Sequence, residues 1–389
     1  MLQQALQQRV DGDLDKAVLG LRRIIAERPG DHRARYELAL TYNLQLNFTA
    51  ASATARELMD DPSTPDYLKA FVYEFMLDLT AADRRHLVVP SLNVGLIYDD
   101  NVNVGPSRQS FAAGGATLVL DPGAAPKRDW GLATSASVMH RYLSPTAVDV
   151  FGRSTVFMWQ SLASISRVDY FKEHAFSQNV TTLQTGPALA AAGRWRAQVN
   201  LRYDDIRIGG DRLGGFAALN PGATWQLGLA TELSADVEAQ QRRYEGANTP
   251  RNSEFDSAGA SVVHRFGADK AFSILGALRG FDERADTARF SNKGSDLLAR
   301  LTWNAWQGGA LTLTATDTRA KYGDVEPLFN VRRDERENRV AVGVQHAFGE
   351  GALRYWQLNG VLSYTKRRSN VDIYAYERSS AALTLSRNF

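Results

Sequence analysis

The stretch Tyr98-Asp99-Asp100-Asn101-Val102-Asn103 sets four carboxylate and amide side chains close together, a donor set suited to a hard cation such as calcium. It lacks the loop spacing and terminal glutamate of an EF-hand. The better reading is a polar turn, in which Asn side chains bond nearby backbone and fix where a strand ends. The six histidines, His32, His86, His140, His174, His264 and His346, show no paired ligand spacing, so no metal site is expected. His140 and His346 fall near strand ends, where interfacial packing is expected. Ser137 with His140 and Ser261 with His264 could begin a serine hydrolase site, which would also need a polar orienting group. The chain carries no G-x-S-x-G, no P-loop and no cysteine, so a nucleophile elbow, a phosphate cradle and thiolate chemistry are absent from its vocabulary. Gly209 to Gly215, "GGDRLGG", reads as an external loop, since no helix follows it to hold an anion.

Chemistry of this kind must be positioned by something, and the chain offers two kinds of element. From Leu2 to about Arg85 the apolar residues recur at helical spacing. Leu14, Ala17, Val18, Leu21, Ile24 and Ile25 share one face before Pro29, and Leu38, Ala39, Tyr42, Phe48, Ala51, Ala55 and Leu58 line a similar face before Pro62. Gly12, Ala17 and Pro29 are answered by Leu46, Ala51 and Ser63. That offset of 34 residues is the tetratricopeptide period, so residues 1–87 read as a small helical-repeat domain with a capping helix. Such helix pairs form a concave surface that holds an extended peptide.

After Pro90 the period becomes two. Trp195, Ala197, Val199, Leu201 and Tyr203 alternate with Arg196, Gln198, Asn200, Arg202 and Asp204. Leu233, Ala235 and Val237 alternate with Glu232, Asp236 and Glu238, and Leu301 and Trp303 with Arg300 and Asn304. The strands are long, matching the roughly 9–11 tilted residues that cross a bilayer. Aromatics gather towards their ends, as in Trp195 with Tyr203, Trp303 with Trp306 and Trp356 with Tyr364, expected at the two membrane interfaces. Short turns ("AAGR", "FGADK", "WQGG", "FGEGA") alternate with longer polar connectors at Asp205–Gly215, Glu245–Asn252, Ala285–Lys293 and Gly323–Asp334. One long connector, Leu143 to about Gly152, falls where parity asks for a short one. The expected fold is a small α-helical domain followed by a 14-stranded antiparallel transmembrane β-barrel over residues 88–389, monomeric and surrounded by outer-membrane lipid. At 44% hydrophobic and 23% charged the composition looks soluble, but alternation dilutes hydrophobicity in a barrel. No run approaches the roughly 18 apolar residues of a spanning helix. The N-terminal "MLQQALQQRVDGD" lacks the regions of a secretory signal, so a trimmed signal is expected, with the helical domain in the periplasm. A net charge of +2 gives no reason to expect nucleic acid as a partner.

The chain ends on alternate apolar residues, Leu383 and Leu385, and a terminal Phe389. This resembles the signal read by the outer-membrane barrel-assembly machinery, with Arg387 where a second aromatic is usual. The order of domains, the opening "PSLNVGLIYDDNVNVGP" with Asp99, Asp100, Asn101 and Asn103, and the ending "LTLSRNF" together resemble the surface lipoprotein assembly modulator (Slam) family. The resemblance implies translocation of lipoproteins, or of related secreted haem-binding proteins, from the periplasm across the outer membrane, with no cofactor. A lumen lined by Arg196, Gln198, Asn200, Arg202, Glu232, Asp236, Glu238, Arg300 and Asn304 would be hydrated and of mixed sign, suited to a polypeptide better than to one ion. The same pattern also fits salt bridges filling a rigid barrel. Two other functions stay open at this point: an outer-membrane channel whose helices dock a periplasmic partner, and a barrel lipid hydrolase.

Overall fold

The computed structural model describes residues 1–82, 85–113, 116–267 and 270–389. Among these, the helical region comprises α1 (Leu2–Val10), α2 (Leu14–Glu27), α3 (His32–Leu44), α4 (Phe48–Asp60) and α5 (Asp66–Ala82). Asp31 and Asn47 cap α3 and α4 by accepting from the backbone N–H of Ala34 and Ala50, satisfying donors that a helix start leaves free. Ala17 on α2 and Ala51 on α4 are fully buried where helices cross, because a larger side chain would hold the helices apart. The turns before these two helices are also alike. Gly12 and Leu46 both take left-handed backbone, at φ 78° and 59°, although only glycine does so without strain.

The strands are β1 (His86–Asp99), β2 (Ser110–Ala113), β3 (Ala116–Val119), β4 (Asp129–Val150), β5 (Arg153–Tyr170), β6 (Gln178–Ala191), β7 (Trp195–Ile208) and β8 (Asp211–Gln226). They continue with β9 (Thr231–Tyr244), β10 (Ser253–Phe266), β11 (Phe272–Ala285), β12 (Asn292–Trp306), β13 (Gly309–Glu326), β14 (Val331–Ala347), β15 (Trp356–Ser369) and β16 (Tyr376–Asn388). Strands β1 and β4–β16 form a closed antiparallel barrel of fourteen, with β16 returning to β1, while β2 and β3 make a separate hairpin within the β1–β4 connection. Closure leaves the barrel no exposed edge to aggregate. Val94, Leu201, Leu219, Leu301, Leu313, Val342, Leu362 and Leu383 point outward and are exposed, forming the belt that lipid must cover. Trp195, Trp225, Trp303 and Trp356 stand at the short-turn rim, and Tyr98, Trp130, Tyr203 and Tyr364 at the other.

Several expectations need correction. Asp205–Gly215 is not a loop: β7 runs to Ile208, β8 restarts at Asp211, and Gly209–Gly210 turn the chain at φ 62° and 95°. Its outward face turns polar at Asp205 and Arg207, where Leu201 and Tyr203 face lipid lower down, because the hairpin rises beyond the lipid. It is held by Arg207–Asp205 (3.2 Å) and Arg212–Asp205 (2.5 Å) ion pairs. The expected loop Gly323–Asp334 likewise shrinks to residues 327–330, as β13 and β14 continue through an irregular register after Lys321. The connector that broke parity, Leu143–Gly152, is a strand extension with a bulge after Leu143 and a tight turn at Phe151–Gly152, so this connection is short after all. The alternation fails instead at the two-residue β7–β8 turn and at residues 348–355 between β14 and β15. Trp303 and Trp306 occupy the same rim, being only a bulge apart. Of the turn "FGADK", residues 268 and 269 lie outside the described residues.

The extended β4–β5 hairpin explains itself by what it covers. Its inward residues Leu143, Val156 and Met158, with Ala188 of β6, share one buried cluster with Phe48, Ala51 and Ala55 of α4. The helices therefore pack against the inner face of the short-turn rim. Arg153 reaches Asp15 at 2.6 Å, Arg194 reaches Asp13 at 2.5 Å, and Thr49 donates to the Pro145 carbonyl. Burial raises the Asp13 carboxyl, but hydrogen bonds from Lys16 and Arg194 outweigh it and hold the group below its ordinary value.

Candidate functional site: the lumen and its outer clamp

The Asp99–Asn103 run sits at the end of β1 on the long-loop rim and joins three parts of the chain. Asp99 points into the barrel with no exposed surface, and accepts from Arg378 Nε of β16 at 2.7 Å and from the Tyr170 hydroxyl of β5 at 3.4 Å. Asp100 closes the seam from the other side. Its carboxylate accepts from the Ser379 N–H at 2.7 Å and its own N–H donates to the Ser379 carbonyl. Asn101, also buried, donates to the Gly105 and Glu377 carbonyls, both at 2.9 Å, and accepts from the Gly105 N–H. Asn103 donates to the Ala125 carbonyl and accepts from the Lys127 N–H. The expected local turn is present, but the run also bolts the first strand to the last and ties both ends of the β1–β4 connection together. The oxygens that invited a cation reading are directed at donors of the protein itself.

The described residues of the connection so fixed, 100–113 and 116–128, reach across the outer ends of β16, β15, β14 and β13. The Ser107 N–H donates to the Ala375 carbonyl, Arg108 pairs with Asp372 at 3.3 Å, and the buried Phe111 ring meets Phe329 at 5.8 Å. Beneath it lies a cluster of inward side chains that the pattern reading did not single out. Arg333 is sandwiched between the Tyr322 and Tyr374 rings, at 3.6 and 4.0 Å, and faces Glu335 at 3.5 Å. Glu337 accepts from Arg367 at 2.9 Å and from the Tyr376 hydroxyl at 2.8 Å. The signal was available: Arg333, Glu335 and Glu337 alternate in "RRDERE", as lumen residues of one strand must.

Lower in the barrel, the residues expected to line the lumen do so in part together. Arg196, Gln198, Arg202, Asp236 and Glu238 surround a cavity of about 440 Å³. Arg202 and Glu238 also border a second, of about 580 Å³, with Arg242, Arg279, Glu283 and Arg367. Arg202 stands between the two, bonded to Asp204 at 3.0 Å and paired with Glu238 at 3.2 Å. Asn200 is buried in the wall opposite Asn220, and Glu232 lies 3.9 Å from Arg265. Arg300 donates to Thr314 at 3.1 Å, and Asn304 is exposed at the short-turn rim, so neither joins the group around Arg202. The wall thus carries ion pairs between strands, Arg202–Glu238, Arg242–Glu283 and Arg279–Asp296 among them, beside two polar cavities.

On β16, Leu383 and Leu385 face lipid opposite Leu96 and Val94, and the Phe389 N–H closes the seam on the Pro90 carbonyl at 2.9 Å. Arg387 occupies the outward position between them. Its guanidinium lies over the Trp356 and Phe389 rings at 5.9 and 4.8 Å, so a cation stacked on two rings stands where an aromatic was expected. The two serine–histidine pairs do not assemble. Ser137 points inward to Ser91 while His140 points outward and meets His86 at 2.9 Å. Ser261 and His264 are also on opposite faces, three residues apart in one strand, with His264 bonded to Thr231.

A closed fourteen-stranded barrel with a lipid-facing belt, two aromatic rims and a charged lumen defines an outer-membrane β-barrel protein. Residues 170–389 match the family model described as surface lipoprotein assembly modifier. That match spans more than half of the chain, and the chain belongs to this family. A comparison with the curated proteins finds no match. Among solved structures, the chain is similar to a BenF-like porin from Pseudomonas fluorescens Pf-5, at 12% identity and a TM-score of 0.39, covering 79% of this chain and 99% of that one. It is also similar to a bacterial polysaccharide outer membrane secretin, at 8% identity, TM-score 0.43 and coverage of 77% and 98%. For Pseudomonas aeruginosa OprD the values are 10% identity, TM-score 0.40 and coverage of 78% and 95%.

Proposed function

We propose that this protein carries lipoprotein clients, or related small secreted proteins, from the periplasm to the cell surface. Membership of a family concerned with surface lipoprotein assembly supports the client class. The observation that carries the transport reading is the lumen, with hydrated cavities of about 580 and 440 Å³ walled by paired charges of both signs. Mixed polarity offers weak, replaceable contacts to a passing polypeptide and no deep well for one ion. The helical region, read as tetratricopeptide-like, sits at the inner rim where a client would first arrive. Folding of the client, or insertion of its lipid, on the far side would supply the free energy. During biogenesis the barrel-assembly machinery would read the strand ending at Phe389.

The test is protease shaving of intact cells that co-express a lipoprotein client, with and without this protein. The client is expected to be cleaved only when the protein is present. Equal cleavage in both strains would overturn the proposal.

A further inference from the structure

The membrane face of the barrel is not convex all the way round. Between β4 and β10 it is dished into a trough of about 960 Å³, within the size range of small-ligand sites. The trough follows the hydrogen-bond register, from Val138 through Leu183, Tyr203 and Ala217 to Glu254. Six inter-strand steps of about 4.8 Å give it a run of about 29 Å. One acyl chain reaches about 15 Å, half of a hydrocarbon core about 30 Å thick. The trough is therefore long enough for an extended chain.

A neighbouring hollow of about 720 Å³ shows how the wall is bent. It is centred on Pro187 of β6 and Pro221 of β8, residues normally excluded from the middle of a sheet because they cannot donate to the ladder. Pairing of β6 with β7 jumps from Thr185↔Leu201 to Ala188↔Gln198, and that of β8 with β9 from Leu219↔Ala239 to Gly222↔Asp236. The backbone closes in at the same place, since a Cβ on Gly186 would lie 1.9 Å from the Val199 carbonyl oxygen. Barrel stability alone gives no reason to forgo these hydrogen bonds.

We propose that this trough binds the acyl chains of the client lipoprotein, an inference that rests on the export reading above. At hydrocarbon depth the occupant must be apolar, and the charges at the outer end select among lipids. Glu254 and Asp256 are the charged membrane-face residues lining the trough, and they share Arg284, at 3.5 and 2.5 Å. Phospholipids and lipopolysaccharide bring phosphates, which are disfavoured by the excess of carboxylates around that one guanidinium, where Asp282 stands 3.7 Å away as a third. The diacylglyceryl-cysteine of a lipoprotein carries none.

The experiment uses the full chain in phosphatidylethanolamine–phosphatidylglycerol nanodiscs. One probe is a synthetic dipalmitoylglyceryl-cysteine peptide with a diazirine in one palmitoyl chain. The other is phosphatidylethanolamine bearing the same chain at the same mole fraction. The lipopeptide is expected to label β6–β9 several-fold more than the phospholipid does. Filling the trough with Ala163→Phe and Ala217→Phe should cut that labelling roughly tenfold, as loss of about two buried methylene contacts would. Equal labelling by both probes, or labelling spread evenly round the barrel, overturns the proposal. The wild-type comparison decides this even if the filled variant does not fold. Loss of surface display is a separate readout: a client that reaches the surface without this protein sinks the export reading, whatever the labelling shows.

Discussion

At the scale of single residues, the seam between β1 and β16 depends most on Asp99 and Gly95. Asp99 is buried, and its partner Arg378 is itself largely covered. Replacing Asp99 with Ala strands a guanidinium without its carboxylate, which typically costs about 3 kcal/mol or more in a buried setting, discounted somewhat here by the residual exposure of Arg378. A matching loss of stability is expected for Asp99→Ala, read from the urea midpoint of unfolding in lipid vesicles. Adding Arg378→Ala should recover part of it. An Asp99→Ala barrel as stable as the parent would refute the clamp. Gly95 has a different role, since any Cβ there would stand 2.1 Å from the Leu383 carbonyl oxygen. Gly95→Val should therefore keep β16 from docking on β1, seen as loss of the heat-modifiable electrophoretic form while a Gly280→Val control, with nothing within 4 Å, retains it.

At the scale of elements, the helical region is held on the barrel by an apolar patch and an ionic latch, and only the latch responds to pH. Asp13 has a folded-state value below its ordinary 3.8, so its contribution is complete above that value and fades as pH falls through the depressed one. Docking is thus expected to be constant from neutrality to about pH 5 and to weaken below about pH 4. A disulfide-trapping or fluorescence-transfer pair across α2 and the β6–β7 turn would register this. Arg194→Gln should weaken docking at neutral pH and flatten the acid response, whereas an unchanged profile would remove the latch. The same elements show what was readable beforehand. In β7, β9 and β12 period two picked out residues that stand exposed on the outer face, Val199, Leu201, Leu233, Val237, Leu301 and Trp303, because a residue's face depends only on its own strand. The hairpins at Asp205–Gly215 and Gly323–Asp334 read as loops because the outward face turns polar where a strand leaves the membrane, as at Asp205 and Arg207, so the apolar-outward signal ends before the strand does. The clamp was visible as residue types but not as contacts. Asp99 and Arg378 are 279 positions apart, and their meeting depends on the register that barrel closure imposes.

At the scale of the whole molecule, both mouths of the barrel carry something. The helices lie against the inner rim, and the described residues 100–113 and 116–128 span the outer ends of β1, β16, β15, β14 and β13. Positions β1 and β13 are four strands apart in a ring of fourteen, and the segment meets connectors at Ala375, Asp372 and Phe329 along the way, so it narrows the mouth from that side. Phe111 is buried at its far end, against Phe329, where a segment merely draped over the rim would leave its ring in water. The resting barrel should therefore conduct poorly despite its hydrated lumen. Removing residues 106–124 while keeping Asn101, Asn103 and Lys127 preserves the seam clamp and takes away only the covering segment. In planar bilayers this variant is expected to show steady conductance well above that of the parent. Equal conductance would mean that the ion-pair ladder around Arg202, not the outer segment, limits passage. Arg202→Ala with Glu238→Ala would then be the pair that opens it.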